Sequence, residues 1–299
     1  MARWALLLAA AVAGAAAGAQ PELAIAGNFS AFPGYAGPLR AGGALYLRQA
    51  GAGRAELVYT LYGLDQGCSA AFLGSAGRCA VRLHAGASCA DLGAELEAGV
   101  APAYATGAWA LAAANLTAGA ARAARSVVLT DRLGVPFACA RLEPYVDEDG
   151  EDVTVSAWQR YPGYTGGLDV SGTIRLHDVR RSGGGGAAQL LTLVLFGGLD
   201  PACVATDAAS LSAANACGVH VHAGASCASA AAVGGHFWDR AAGASDPWAA
   251  ARYHPEIPML MLPPVPTGLG LDAIRGRTLV VHDITGARIA CAEIPSPAA

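Results

Sequence analysis

The chain has 299 residues, a formal net charge of −4 and a charged fraction of 14%. A nearly neutral balance supplies no basic field for a phosphate backbone, so nucleic acid is not an expected partner. That low charged fraction argues against a solvated disordered chain, and the length accommodates about two domains.

The first residues read as a targeting segment. Arg3 gives a short basic start, Trp4 through Ala13 an apolar run, and Ala17-Gly18-Ala19 an A-x-A cleavage site. Residues 1–19 are therefore expected to be a signal peptide, with Gln20 opening the mature, secreted chain. No later segment reaches about 18 unbroken apolar residues, so no membrane span is expected. The sequons Asn28-Phe29-Ser30 and Asn115-Leu116-Thr117 agree with that route.

Downstream, β-rich runs follow one another: Leu45-Tyr46-Leu47, Glu56 to Tyr62, Ser126 to Thr130, Thr173 to Val179, Gln189 to Phe196, Thr278 to His282 and Ile289 to Ile294. Gly, Pro and Asp punctuate them. The pattern predicts an all-β chain built as sandwich or barrel units. Ala110 to Ala124 is alanine-rich and reads as short helix within a loop. Arg181 to Gly186 reads as a flexible hairpin loop.

Self-comparison reveals a tandem repeat. The first copy carries Pro33-Gly34-Tyr35, Gly63-Leu64-Asp65, Cys68, Cys79, His84-Ala85-Gly86-Ala87-Ser88-Cys89 and Phe137-Ala138-Cys139. The second carries Pro162-Gly163-Tyr164, Gly198-Leu199-Asp200, Cys203, Cys217, His222-Ala223-Gly224-Ala225-Ser226-Cys227 and Ile289-Ala290-Cys291. Two domains follow, at residues 20–143 and 156–299. The acidic run Asp147-Glu148-Asp149-Gly150-Glu151-Asp152 lies between them, and residues 144–155 read as a solvated linker.

All 8 cysteines fall at repeat-equivalent positions, four in each copy. Eight cysteines permit on the order of a hundred pairings, and closing bridges within each copy removes most of them. The expected bridges are Cys68–Cys79, Cys89–Cys139, Cys203–Cys217 and Cys227–Cys291.

The seven histidines are distributed unevenly, with only His84 in the first copy. Two copies of one scaffold have similar structural needs, so the excess in the second points to chemistry. His220-Val221-His222 places two imidazoles on one face of a strand. Such a pair alone is most often an ordinary strand pair. Gly234-Gly235-His236-Phe237 and Val280-Val281-His282-Asp283 supply two more imidazoles, a donor set that suits copper or zinc. His177 lies on the opposite strand face from Ile174 and Leu176 and reads as a surface residue. His254 reads as a loop residue and as the substitute ligand nearest at hand. Met259 and Met261 read as packing residues, as do Trp158, Trp238 and Trp248. Tyr35 and Tyr164, matched between the copies, read as structural.

In this order the motifs resemble the copper/zinc superoxide dismutases over about residues 160–295. The resemblance rests on GVHVH (His220, His222), GGHF (His236), VVHD (His282) and Arg288-Ile289-Ala290-Cys291, with Cys227 between the HVH pair and His236. It implies two tandem Greek-key domains of superoxide dismutase type. It also implies copper at His220, His222, His236 and His282, with superoxide as substrate. Arg288 would guide the anion, His236 would move a proton, and Cys227–Cys291 would be the structural bridge. The family's zinc site needs a His-His-Asp pattern after the bridging histidine. Trp238 to His254 offers Asp239, Asp246 and His254 at other spacings, and Asp246-Pro247-Trp248 reads as a tight turn. The copper-only members are the nearer likeness, and zinc is not expected. In the first copy Arg82, Thr130 and Pro136 stand where His220, His282 and Arg288 stand in the second, and no histidine matches His236. That copy reads as a degenerate scaffold.

The resulting expectation is a secreted, copper-dependent superoxide dismutase with one centre. The alternative is a non-enzymatic extracellular or matrix protein that keeps the fold and binds copper. A zinc hydrolase is disfavoured, because no Glu lies beside His220 or His222 to act as general base.

Overall fold

A computed structural model describes residues 22–50, 53–69, 77–96, 109–148, 151–204, 211 and 213–296. The expected signal peptide, residues 1–19, lies outside the described residues. Every strand pairing among the described residues is antiparallel, and helix is confined to short segments, so the protein is all-β.

The first copy contributes strands β1 (Glu22–Ala26), β2 (Ser30–Ala31), β3 (Gly42–Gln49), β4 (Arg54–Tyr62), β5 (Val81–His84), β6 (Glu95–Leu96), β7 (Trp109–Thr117), β8 (Ser126–Thr130) and β9 (Pro136–Arg141). The chain continues through β10 (Glu143–Asp147) and β11 (Val153–Val155). The second copy then forms β12 (Gln159–Arg160), β13 (Ser171–Arg181), β14 (Ala187–Gly197), β15 (Val219–His222), β16 (Met259–Met261), β17 (Thr278–His282) and β18 (Arg288–Glu293). One sheet runs through both copies in the order β16-β14-β13-β10-β1-β3-β4-β7, with β11 beside β13. Two smaller sheets, β2-β9-β8-β5-β6 and β12-β18-β17-β15, lie over it, one in each copy.

Each small sheet encloses a core against its part of the large one. In the first copy Leu45, Leu47, Leu57, Tyr59 and Leu61 meet Val81, Leu83, Val127, Leu129 and Phe137. In the second, Ile174, Leu176, Leu191 and Leu193 meet Val219, Val221, Leu279, Val281 and Ile289. A third cluster draws on both copies, joining Ile25, Ala44, Tyr46 and Tyr145 to Val179, Ala188 and Met261. This explains why β3 is apolar on both faces. Leu45 and Leu47 point to one core, while Ala44 and Tyr46 point to the other. The Tyr46 hydroxyl is satisfied there by donating to the Leu262 carbonyl at 2.5 Å.

Local contacts repeat as faithfully as the motifs do. Phe32 N–H donates to Phe137 O at 3.0 Å, and Tyr161 N–H donates to Ile289 O at 3.0 Å. Cys79 and Cys217 both adopt positive φ, 48° and 59°, and their N–H groups donate to Asp131 and Asp283 carbonyls. All four disulfides close as the repeat leads one to expect: Cys68–Cys79, Cys89–Cys139, Cys203–Cys217 and Cys227–Cys291.

Three sequence expectations change. Trp109–Thr117, covering the first half of the alanine-rich stretch, is strand β7, paired along its whole length with β4. Only Ala118–Ala123 is helical (α1), N-capped by the Thr117 hydroxyl. Alanine's helix preference is a few tenths of a kcal/mol per residue, about what a continuous ladder beside an open strand edge overrides. The described parts of the acidic stretch, 144–148 and 151–155, are also more ordered than a solvated linker. Its two ends are β10 and β11, which lie along successive parts of β13.

His177 explains that ordering, and it is not the free surface residue its strand face implies. Its Nδ1 meets Asp152 at 2.8 Å and its Nε2 meets Asp147, so one ring holds both carboxylates. Arg180 adds a 2.7 Å pair with Glu148. Burial opposes the charged ring, but the two carboxylates outweigh it and raise His177 to about 10. A raised histidine pKa contributes stability fully below the unfolded value, near 6.5, and loses it as pH climbs through the folded value. We expect His177→Gln to cost about 1–2 kcal/mol at pH 6, after discounting for the part-exposed carboxylates. The cost should vanish by about pH 10.5. Denaturant midpoints of both proteins at the two pH values measure this.

Candidate metal centre

Strand alternation on β15 sends Val219 and Val221 into the second core and both imidazoles to the opposite face. β17 runs beside it, with His220 opposite Val280 and Val219 opposite Val281. Leu279 and Val281 face the core, which leaves His282 on the histidine side. A register shift against β18 falls just before His282 and sets it opposite Arg288. The His282 N–H donates to Gly218 O at 2.9 Å, tying the end of β17 to the start of β15.

His236 arrives from a short loop. Helix α2 (Ala230–Val233) is capped by the Ser229 hydroxyl and stopped by Gly234 at φ 70°. The following residues lie along β15, with Ala223 N–H on Gly235 O (2.8 Å) and Phe237 N–H on Val221 O (2.9 Å). Gly224 makes this approach possible, because a Cβ there would collide with the Ala232 carbonyl. That requirement accounts for the glycine in the repeated HAGASC segment.

His220, His222, His236 and His282 thus converge, with one nitrogen from each within 4.8 Å of the others. Hydrogen bonds fix the ring orientations. His222 Nδ1–H donates to Gly234 O at 3.0 Å and His282 Nδ1–H to Gly286 O at 2.9 Å. His236 Nδ1–H donates to the Asp246 carboxylate at 2.5 Å. The bonds of His222 and His282 leave Nε2 with its lone pair free. His220 Nδ1 lies 3.0 Å from His236 Nε2. The Nε2 atoms of His222 and His282 are buried with no partner among the described residues. Orphaned buried nitrogens are costly and rare in folded proteins, and a shared cation supplies the missing partner. The four residues therefore fit a metal ion.

The electrostatics agree. Burial, followed by the neighbouring imidazoles, pushes His220 far below the ordinary histidine value. Burial lowers His222 to about 3 and His282 to about 4, against the raising effect of their carbonyl partners. Neutral rings with free lone pairs are the form that ligates.

Arg288 stands opposite His282 at the start of β18, and its guanidinium donates to the Tyr161 hydroxyl at 2.7 Å. Asp246 was not legible in the sequence as more than part of a turn. One carboxylate oxygen accepts Trp248 N–H at 2.9 Å and caps a 3-10 turn, and the other holds His236. An acidic residue ten positions after His236, ahead of a proline, was the available signal. Asp239 instead caps its own turn by accepting Ala241 N–H at 2.9 Å.

His254 lies apart from the four. It is buried, and its ring packs on Tyr62 of the first copy, centroids 4.9 Å apart. We expect His254→Ala to leave the metal content unchanged and to cost about 1–3 kcal/mol of stability through the cavity it opens. Thermal unfolding together with elemental analysis measures both.

The first copy fills the matching positions with other chemistry. Arg82 pairs with Val128 as His220 does with Val280, and Thr130 with Pro136 as His282 does with Arg288. Arg82 forms an ion pair with Glu95 at 3.2 Å, and the Thr130 hydroxyl donates to Gly77 O at 2.7 Å. His84 is buried without the three companions its counterpart has. Compared with known proteins, the chain matches no family model, no curated protein and no solved structure.

Proposed function

We propose that the four-histidine group is a copper site and that the protein is a secreted superoxide dismutase with one centre, in its second copy. The observation that carries this reading is the convergence of four imidazoles, with buried Nε2 atoms on His222 and His282 that have no partner among the described residues, beside an arginine that no carboxylate among the described residues pairs with. The chemistry follows from this set together with the likeness of the motifs to the copper/zinc superoxide dismutases. Four disulfides favour an oxidising compartment, and no helix among the described residues is long and apolar enough to cross a membrane.

A bound copper ion supplies a one-electron couple able both to oxidise and to reduce superoxide. The chain's own groups supply the rest. Arg288 attracts and orients the small anion. His236 takes a proton at Nε2 in one half-cycle and passes it on to the peroxide in the other. Asp246 holds the opposite nitrogen of that ring throughout and stabilises the imidazolium that forms. Two superoxide ions and two protons become dioxygen and hydrogen peroxide.

Asp246 also favours copper without zinc. In the zinc-containing superoxide dismutases that the motifs resemble, the bridging histidine gives its second nitrogen to zinc. Here the equivalent nitrogen of His236 donates to a carboxylate. Elemental analysis of protein loaded with both metals should find one copper per chain and no zinc. Zinc in equal amount would overturn the one-metal reading.

A further inference from the structure

We propose that Tyr161 is the positioning residue that holds Arg288 over the metal centre, and that its hydroxyl is present for that purpose. The inference rests on the reading of the four histidines and Arg288 as an anion-handling site, and it adds a residue that neither the motifs nor the resemblance named.

Tyr161 follows β12, and its backbone N–H donates to Ile289 O at 3.0 Å, one residue from Arg288. Tyr161 is 8% exposed and packs with Cys227, Val233, Val280 and Cys291, so the Cys227–Cys291 disulfide walls it in. From this fixed base the hydroxyl oxygen accepts Arg288 Nη1–H at 2.7 Å, and the guanidinium carbon lies 5.4 Å from the ring centroid. No carboxylate among the described residues pairs with Arg288. The phenol therefore restrains the guanidinium without neutralising it. The guanidinium's residue stands directly opposite the ligand His282 across the β17–β18 ladder.

The first copy provides an internal control. Phe32 occupies the Tyr161 position and makes the same backbone bond, N–H to Phe137 O at 3.0 Å. Pro136 occupies the Arg288 position, opposite Thr130. A bare aromatic ring thus serves the scaffold where no arginine is present. The hydroxyl appears only in the copy that has a guanidinium to hold.

The test compares Tyr161→Phe, Arg288→Ala and the unmodified protein, each loaded with copper. Azide is titrated against the visible absorption of the metal, and melting temperature, copper content and kcat/KM for superoxide are recorded. Tyr161→Phe should keep its copper and its melting temperature. It should bind azide about three- to tenfold more weakly, the loss expected for one ordinary hydrogen bond. kcat/KM should fall in parallel, and Arg288→Ala should lose more of both. Unchanged azide affinity in Tyr161→Phe, with a large loss in Arg288→Ala, would overturn the proposal and leave the proposed function standing. A lowered melting temperature with lost copper would make Tyr161 a structural residue and overturn it also. Weakened azide binding in a protein that does not consume superoxide would support Tyr161 as the positioning residue while refuting the dismutase reading.

Discussion

Replacing His282 with alanine is expected to weaken copper binding by more than about a hundredfold, since disturbing only the outer partner of a metal ligand already costs 10–100-fold. Superoxide-dismuting activity should disappear with the metal. The metal-free fold should change little in stability. The substitution opens a cavity, but it also removes a buried Nε2 that has no partner of its own. His84→Ala, at the HAGASC histidine of the first copy, should leave copper content untouched. Equilibrium competition with a copper chelator and denaturant unfolding of the metal-free proteins separate these outcomes. Loss of copper in the His84 variant would mean that the first copy takes part in ligation.

The second large effect concerns the two long-range disulfides. Cys227–Cys291 closes a separation of 64 residues and Cys89–Cys139 one of 50. Chain-entropy arguments assign each about 4 kcal/mol. Paired Cys→Ser replacements should therefore destabilise to a similar degree. Their functional effects should differ. Cys291 lies three residues beyond Arg288 on β18 and packs with Cys227 against Tyr161, so its loss should loosen the guanidinium and weaken azide binding. Removing Cys89–Cys139 should leave azide affinity as it was. Equal effects of the two replacements on azide affinity would contradict the link between this bridge and Arg288.

Much of this architecture was legible because the chain repeats itself. Cysteines at matched offsets reduce the pairing problem, and within the histidine-rich second copy the motifs GVHVH, GGHF and VVHD point to His220, His222, His236 and His282. What could not be read depends on partners distant in sequence. Asp246 reaches His236 only because the loop after α2 folds back along β15. Tyr161 meets Arg288 across 127 residues. His177 looked like a solvent-facing strand residue because the two aspartates that clasp it lie in a stretch whose composition argues for a linker. His254 is buried by Tyr62, a residue of the other copy. Trp109–Thr117 has helical composition and becomes a strand because β4 offers it an open edge.

The most direct test is the rate at which the copper-loaded protein removes superoxide, followed by pulse radiolysis at several ionic strengths. One copper per chain should accelerate superoxide decay catalytically. The rate constant should fall as salt screens Arg288, and it should collapse in Arg288→Ala and His282→Ala. A protein that holds one copper at the four histidines yet leaves superoxide decay no faster than buffer would contradict the dismutase assignment. It would make the chain an extracellular copper-binding protein instead.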